Sequence, residues 1–479
     1  MSLLVWTGNP FVDGGIAAIL VQQKKNKPED IFKEHLENVS EFIQSIYVTE
    51  KWKKAIYSIF VNYPLSQPSY KTEEKKREKL KEFLDDLLSE AEEIKESGDC
   101  IACGRRNTSK RKNRQHIPMT GSGGVTNYFS FTADGADYCD ICAFAVQCSP
   151  LTYYACGKLG LLHTNSPKIL RRWANITLEN IQQQKILKNY TGCFNEGFTN
   201  PQNALFHLLE DLTRNLEENW KEENPSLRLY HFTNYIQGPD LDIYDLPTSV
   251  FRFFAEIRNN PKYQDWRNIV RRGYFFVKKG QEIGLNTKEK TEDDYKNSKN
   301  RIYQKLLSGR SILPHFLNIR SRKAYGDFSL LEVYLKEVLN MNKTRIETIK
   351  KVADEIANFI RASDKGKARL RNLEESTKFR DFCNVLRRIS MERIALLKPE
   401  KPLFTLDEVA EELFPEGALT FGETRYLILF RLYEQLHDWL LAQGLTPEEA
   451  DDGIQDSGND GILILESNTA QILEGENYQ

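Results

Sequence analysis

The chain has 479 residues, of which 40% are hydrophobic and 28% are charged, as in folded globular proteins and unlike disordered or fibrous ones. No apolar run approaches the ~18 residues that a membrane span requires. Residues 1–10 lack the basic start and long apolar stretch of a secretory signal, so we expect a cytoplasmic protein without membrane partners. The formal net charge of −2, taken alone, argues against a nucleic-acid partner.

The average charge conceals an uneven distribution along the chain. Residues 432–479 contain 11 Asp or Glu and no Lys or Arg. Residues 1–431 therefore hold all 66 basic residues and only 57 of the 68 acidic ones, a net charge of +9. We interpret the chain as a basic body followed by an acidic flexible tail at residues 447–479.

The pattern of apolar residues predicts an α+β fold. In the opening segment, Gly14 and Gly15 indicate a turn that leads into a buried helix. Residues 29–61 and 72–97 have helical periodicity, whereas residues 125–165 are aromatic and strand-like. We therefore expect a mixed α/β region over residues 1–340 that contains an inserted zinc-finger module at about 98–145.

The C-terminal part has a different pattern. Residues 343–362, 376–397 and 420–443 repeat apolar side chains every 3.6 residues. These segments predict an α-helical bundle over residues 341–446.

Four of the eight cysteines form two pairs with metal-ligand spacing. Cys100 and Cys103 make one C-x-x-C pair, and Cys139 and Cys142 make the other. Two such pairs supply the four thiolates of a closed tetrahedral Zn²⁺ site, which is structural because no position is left for water. A reducible disulfide pair and unrelated buried thiols are the alternatives. We expect Cys148, Cys156, Cys193 and Cys383 to be buried free thiols.

The segment between the two cysteine pairs is strongly basic. Residues 104–127 contain six cations and no acidic residue: Arg105, Arg106, Lys110, Arg111, Lys112 and Arg114. Such a loop, which also contains Gly121, Gly123 and Gly124, is a candidate for contacts with nucleic-acid phosphates. An ordinary solvated loop is the alternative.

A second basic region lies in the predicted bundle. Residues 341–395 contain 14 Lys or Arg and 8 Asp or Glu. Candidate backbone contacts in this region are Lys365, Lys367, Arg369, Arg371, Arg380, Arg387 and Arg388. Cations at a helical turn can follow a nucleic-acid backbone without reading its sequence, although ordinary solvated helix faces would have the same composition.

Known catalytic motifs are missing from the sequence. There is no phosphate-binding G-x-x-x-x-G-K-[ST] loop and no H-E-x-x-H helix. The His437-Asp438 doublet resembles part of a metal phosphohydrolase site, but it lies alone on an amphipathic segment. The sequence therefore favours a binding protein over its rival, a zinc-containing nuclease or phosphohydrolase that uses His437 and Asp438.

The opening sequence WTGNPFVDGGIAAI at residues 6–19, together with the two C-x-x-C pairs that flank a basic insertion, resembles the CXXC–CXXC class of large subunits of type I-B CRISPR Cascade complexes. The resemblance covers residues 1–25 and 100–142 closely and the rest only in layout. It implies a non-catalytic protein that recognises the protospacer-adjacent motif in double-stranded DNA, helps to unwind the target and recruits a helicase-nuclease. Its implied partners are guide RNA, target DNA and the other Cascade backbone subunits, with base pairing to the guide reading the target sequence.

Within this resemblance, Asn9 is a candidate DNA contact. An Asn amide can pair with a base edge through its donor and its acceptor. A capping turn at the start of a core helix explains the same residue equally well.

The resemblance also implies that the C-terminal bundle is similar to the small subunit, which some type I systems make by internal initiation. Met341 lies where the helical region begins. Residues 336–338 can be encoded AAG-GAG-GTN, a strong ribosome-binding sequence. We therefore predict a second product, residues 341–479, that binds along the guide–target hybrid.

Overall fold

We analysed a computed structural model that describes residues 2–89, 98–106, 110–120, 135–214, 224–235, 238–258, 261, 263–285 and 291–445. The glycines at 121–124 and the acidic tail at 447–479 lie outside the described residues. The chain divides into two compact units, residues 1–251 with 292–297 and residues 252–291 with 298–479. The proposed boundary at residue 341 stays a prediction.

The first unit combines helices with one antiparallel sheet. Its helices are α1 Pro10–Gln22, α2 Lys33–Tyr47, α3 Glu50–Ile59, α4 Glu73–Leu88, α5 Asp140–Cys148, α6 Pro167–Ile186 and α7 Pro201–Thr213. Its strands are β1 Tyr153–Cys156, β2 Lys158–Thr164, β3 Leu227–Tyr235 and β4 Gly238–Leu246. The strands follow one another in the order β1-β2-β3-β4, and each pairs antiparallel with the next.

Helix α1 lies in the core of the first unit. Asn9 caps it, because its side chain accepts hydrogen bonds from the backbone N–H groups of Phe11 and Val12. Gly14 and Gly15 lie inside this helix, so our prediction of a turn at this position was wrong. Small size rather than turn geometry explains these residues, since a Cβ atom on Gly15 would lie 1.7 Å from the carbonyl oxygen of Ala145 in α5.

The segment that we expected to be strand-like also contains a helix. Residues 140–148 form α5, and the first strand among the described residues of this segment begins at Tyr153. Nearly every α5 side chain is buried, and a short apolar run without alternation does not distinguish a buried helix from a buried strand. Tyr47 of α2 donates a hydrogen bond to the Gln147 carbonyl oxygen (2.9 Å), which attaches α5 to the neighbouring helix.

The second unit is mainly helical. Its helices are α8 Thr248–Arg258, α9 Tyr263–Arg272, α11 Arg301–Leu307, α12 Phe328–Glu337, α13 Lys343–Ala362, α14 Gly366–Glu375, α15 Phe379–Leu397, α16 Phe421–Gln435 and α17 His437–Ala442. Residues 248–251 of α8 belong to the first unit. The intervening α10 Glu292–Asn297 belongs to the first unit. Small antiparallel sheets are formed by β5 Tyr274–Lys278, β6 Gln281–Gly284 and β7 Lys299–Asn300, and by β8 Leu317–Asn318 and β9 Lys323–Ala324.

The predicted fold class is confirmed. Helices and antiparallel sheets occur together, the four paired cysteines cluster, and the C-terminal region is helical. Among the described residues, no helix combines the length and the apolar character needed to cross a membrane.

Candidate metal centre and nucleic-acid contacts

The four cysteines of the two C-x-x-C pairs meet at one point. The Sγ atoms of Cys100, Cys103, Cys139 and Cys142 all lie within 4.8 Å of one another. The Sγ atoms of Cys103 and Cys139 are 3.8 Å apart. A tetrahedral ion with Zn–S bonds of about 2.3 Å separates its sulfur ligands by roughly 3.8 Å, so the cluster fits a metal ion of this kind.

The first C-x-x-C pair is held by a tight backbone turn. The Gly104 N–H donates to the Cys100 carbonyl oxygen (2.8 Å), and the Cys100 N–H donates to the Arg105 carbonyl oxygen (2.7 Å). Gly104 has φ of +71°, a left-handed conformation that glycine adopts without strain. The turn therefore depends on the glycine that follows the cysteine pair.

The second C-x-x-C pair begins a helix. Cys139 is the N-cap of α5, and Cys142 lies in the first turn of that helix. The partial positive charge of a helix N-terminus favours the thiolate form of a cysteine. This placement supports metal binding by the second pair.

The close contacts among the thiols perturb their acidity. Hydrogen bonds from the Cys139 and Cys142 thiols lower the pKa of Cys100. The hydrogen bond with Cys100 raises the pKa of Cys139 to about 12 and raises that of Cys142 as well. A divalent cation would relieve this competition, because it stabilises all four thiolates together.

The remaining cysteines do not join the cluster. All eight cysteines are free thiols; Cys148, Cys156 and Cys193 are buried, while Cys383 is only partly buried. The prediction of buried thiols therefore fails at Cys383. The disulfide alternative has no support, because a disulfide bond requires sulfur atoms ~2.05 Å apart.

Carboxylates outside the basic loop neutralise part of its charge. Lys112 is buried and pairs with Asp140, while the Arg111 Nε lies 3.2 Å from Asp137. Arg106 approaches the Asp99 carboxylate at 3.9 Å. These carboxylates reduce the mutual repulsion among the six cations.

The other cations of the loop differ in their accessibility. Arg105 donates to the Leu3 carbonyl oxygen (2.9 Å). Lys110 is exposed and Arg114 is half-buried, and neither forms an ion pair with any residue that the structure describes. Among the described residues, Lys110 and Arg114 are therefore the loop cations without a carboxylate or carbonyl partner, which makes them the first candidates for a phosphate contact.

The opening segment and the cysteine cluster are in direct contact. The Asn9 Nδ2 donates to the hydroxyl of Tyr138 (2.9 Å), and Tyr138 immediately precedes Cys139. Within the opening segment, the Asp13 carboxylate accepts hydrogen bonds from the backbone N–H groups of Thr7 and Gly8, each 2.8 Å long. The sequence alone did not indicate that the two motifs on which the family resemblance depends form one assembly.

In the helical bundle, two of the candidate contacts are already paired. Arg369 makes a bidentate ion pair with Glu392 at 2.8 and 2.6 Å, and Arg371 pairs with Glu375 at 2.7 Å. Five others are exposed and form no ion pair with described residues: Lys365, Lys367, Arg380, Arg387 and Arg388.

The rival catalytic doublet lies on the surface. His437 and Asp438 are both exposed on α17. Among the described residues, neither belongs to a group of side chains positioned to hold a metal ion. The structure thus brings no further ligand to this doublet within the described part of the chain.

Comparison with known protein families gives a match over part of the chain. The model of the family described as CRISPR-associated protein (Cas_CXXC_CXXC) matches residues 93–154, the segment that contains the cysteine cluster. No curated protein and no solved structure matches the chain significantly. The family match supports a CRISPR-related function for a protein of this class.

Proposed function

We propose that this protein is the non-catalytic large subunit of a type I-B guide-RNA surveillance complex. In this function it recognises the protospacer-adjacent motif in double-stranded DNA, helps to unwind the target and recruits a helicase-nuclease. The observation that carries the proposal is the contact between the opening segment and the cysteine cluster. The cluster, but not the opening segment, lies within the residues that the CRISPR-associated family model matches.

Each part of the proposed interface has a separate task. A Zn²⁺ ion held by Cys100, Cys103, Cys139 and Cys142 would fix the basic loop against α5 and the opening segment. Lys110 and Arg114 would contact phosphates of the motif duplex, which positions the protein without reading its sequence. The exposed cations of α14 and α15 would follow the guide–target hybrid, where base pairing supplies the sequence specificity.

The salt dependence of target binding tests the loop contacts. The variant to be assayed is the complex assembled with guide RNA, in which this subunit carries Lys110→Ala and Arg114→Ala. We expect weaker binding to matched target DNA, with the slope of log affinity against log salt reduced by about 1 for each lost phosphate contact. Lys33→Ala and Lys54→Ala, which change exposed lysines of α2 and α3, are the control. An unchanged slope in the loop variant would instead indicate a zinc-containing scaffold without nucleic-acid contact.

The rival function, a zinc-containing nuclease or phosphohydrolase, is tested with the purified protein alone. We expect no cleavage of DNA or RNA above background, with or without added divalent ions. Cleavage that His437→Ala and Asp438→Ala abolish would support the rival and contradict the non-catalytic proposal.

A further inference from the structure

A second group of metal-ligand residues lies in the first unit, apart from the four cysteines. Glu196, His207 and Asp211 each offer one ligand atom, and these atoms lie within 4.8 Å of one another. His207 and Asp211 are one turn apart on α7, and Glu196 lies in the segment before that helix. Sequence reasoning missed this group because Glu196 lies outside the helix that carries the H-x-x-x-D pair, so no fixed spacing links the three residues.

The geometry fits a first-row transition-metal ion. The His207 Nε2 lies 3.3 Å from a Glu196 carboxylate oxygen and 3.7 Å from the Asp211 Oδ2. Nitrogen and oxygen ligands at 2.0–2.2 Å from a tetrahedral zinc ion are roughly 3.3–3.6 Å apart. The three side chains are between a quarter and about a third exposed, at 35%, 31% and 26% for His207, Glu196 and Asp211, so an ion can reach them from solvent.

Neighbouring residues hold the two carboxylates in position. The Tyr154 hydroxyl donates to the Glu196 Oε2 (3.1 Å), and Arg214 lies 3.0 Å from the Asp211 Oδ1, which leaves Oδ2 directed at His207. The Phe198 ring lies against the His207 imidazole, with ring centroids 4.9 Å apart. Such outer contacts orient metal ligands in known sites.

Two cations, Lys296 and Arg214, lie near the two carboxylates. Lys296 pairs with Asp293 at 3.3 Å, and its ammonium lies over the Phe198 ring. The Arg214 contact engages the Asp211 oxygen opposite the one that faces His207. The two carboxylates carry a formal charge of −2, which a divalent cation bound to neutral His207 would match.

We propose that Glu196, His207 and Asp211 form a second, open binding site for a divalent transition-metal ion. One imidazole and two carboxylates suit Zn²⁺, Mn²⁺, Fe²⁺ or Co²⁺. Three protein ligands leave at least one position for water or for an oxygen atom of a bound molecule. The site differs in this respect from the four-cysteine cluster, whose ligands close the coordination sphere.

The stoichiometry of metal binding tests the proposal. The full-length protein is saturated with Zn²⁺ and its bound zinc is measured after removal of the free ion; the same samples are titrated with Co²⁺. We expect two equivalents in the wild type and one in His207→Gln and in Asp211→Asn. The second Co²⁺ should have a spectrum without thiolate charge-transfer bands, because its ligands are nitrogen and oxygen.

The control variants separate metal loss from misfolding. His437→Gln and Asp438→Asn change a His-Asp pair outside the group and should retain two equivalents. The single equivalent of Zn²⁺ that His207→Gln retains shows that the cysteine cluster is intact. Tyr154→Phe should bind the second ion about 10-fold more weakly. A single equivalent in the wild type, or a second equivalent that persists in His207→Gln, would overturn the proposal and leave His207 as the partner in an ion pair.

Discussion

Gly15 of α1 lies so close to Ala145 of α5 that a Cβ atom on Gly15 would be 1.7 Å from the Ala145 carbonyl oxygen. Ala145 lies three residues after Cys142, so this contact sets the distance between the opening helix and the cysteine cluster. The Asn9–Tyr138 and Arg105–Leu3 hydrogen bonds join the same two regions. The opening motif and the C-x-x-C pairs are therefore parts of one structural unit.

Gly15→Ala should destabilise the protein strongly. The added methyl group meets backbone atoms that cannot move independently, and overpacking of this kind costs about 1–3 kcal/mol or more. The alanine gains only about 1 kcal/mol of helix propensity in return. Denaturant unfolding measures the difference in free energy.

Gly14→Ala is the matched control for the Gly15 substitution. Its Cβ atom would lie 3.1 Å from the Thr152 Oγ1 and 3.2 Å from a Leu161 methyl carbon. These are side-chain atoms that can shift by a few tenths of an ångström. Equal stability of the two variants would contradict a specific close approach at Gly15.

Asn9→Ala should lower the free energy of unfolding by about 1 kcal/mol, the usual effect of removing a helix N-cap. Asn9→Ser should retain most of the stability, because serine also caps helices. The Asn9 amide already contacts Phe11, Val12 and Tyr138, so we expect the serine variant to keep the motif preference of the assembled complex. A changed preference in Asn9→Ser would instead support the direct base contact that the sequence suggested.

The stability of the second unit should fall in acid because of His315. Burial and the charges of Lys305, Arg272 and Arg301 lower the pKa of His315 to about 3, whereas an unfolded histidine titrates near 6.5. At pH values between these two pKa values, His315 is protonated in the unfolded state and neutral in the folded state. The contribution of neutral His315 is therefore intact above pH 6.5 and decreases as the pH falls toward 3.

Comparison with His315→Gln isolates this effect from the titration of carboxylates. For each pH unit between the folded and unfolded pKa values, His315 should change the free energy of unfolding by on the order of 1 kcal/mol. Unfolding free energies measured from pH 7 to pH 4 should decline less steeply in His315→Gln. Parallel curves for the two proteins would contradict the assignment.

Met341→Leu should remove the second product, residues 341–479, from the purified complex. Asn342 caps α13 by accepting a hydrogen bond from the Thr344 N–H (2.9 Å), so a product that starts at Met341 retains the whole helix. Met341 is buried, and a Met-to-Leu exchange of similar volume costs less than about 1.5 kcal/mol. Met391→Leu, at an exposed position of α15, is the control. A short band that persists in Met341→Leu, or that the wild type never shows, contradicts internal initiation.

The sequence predicted the ligands of the cysteine cluster because C-x-x-C spacing is a local property. It also predicted the C-terminal helices, whose apolar periodicity is strong. It misread Gly14 and Gly15 as a turn, because the requirement for a small residue arises from α5, more than 100 residues away. It also overestimated the free charge of the basic loop, because Asp137 and Asp140 follow that loop in sequence but contact it in space.

Binding of the assembled complex to targets that share one protospacer but differ in the flanking motif tests the central claim most directly. Complexes with and without this subunit are compared on double-stranded targets and on single-stranded targets complementary to the guide. We predict that the subunit gives a motif preference on double-stranded DNA and that single strands bind with or without it. Equal motif preference in the complex that lacks the subunit would contradict a role in motif recognition.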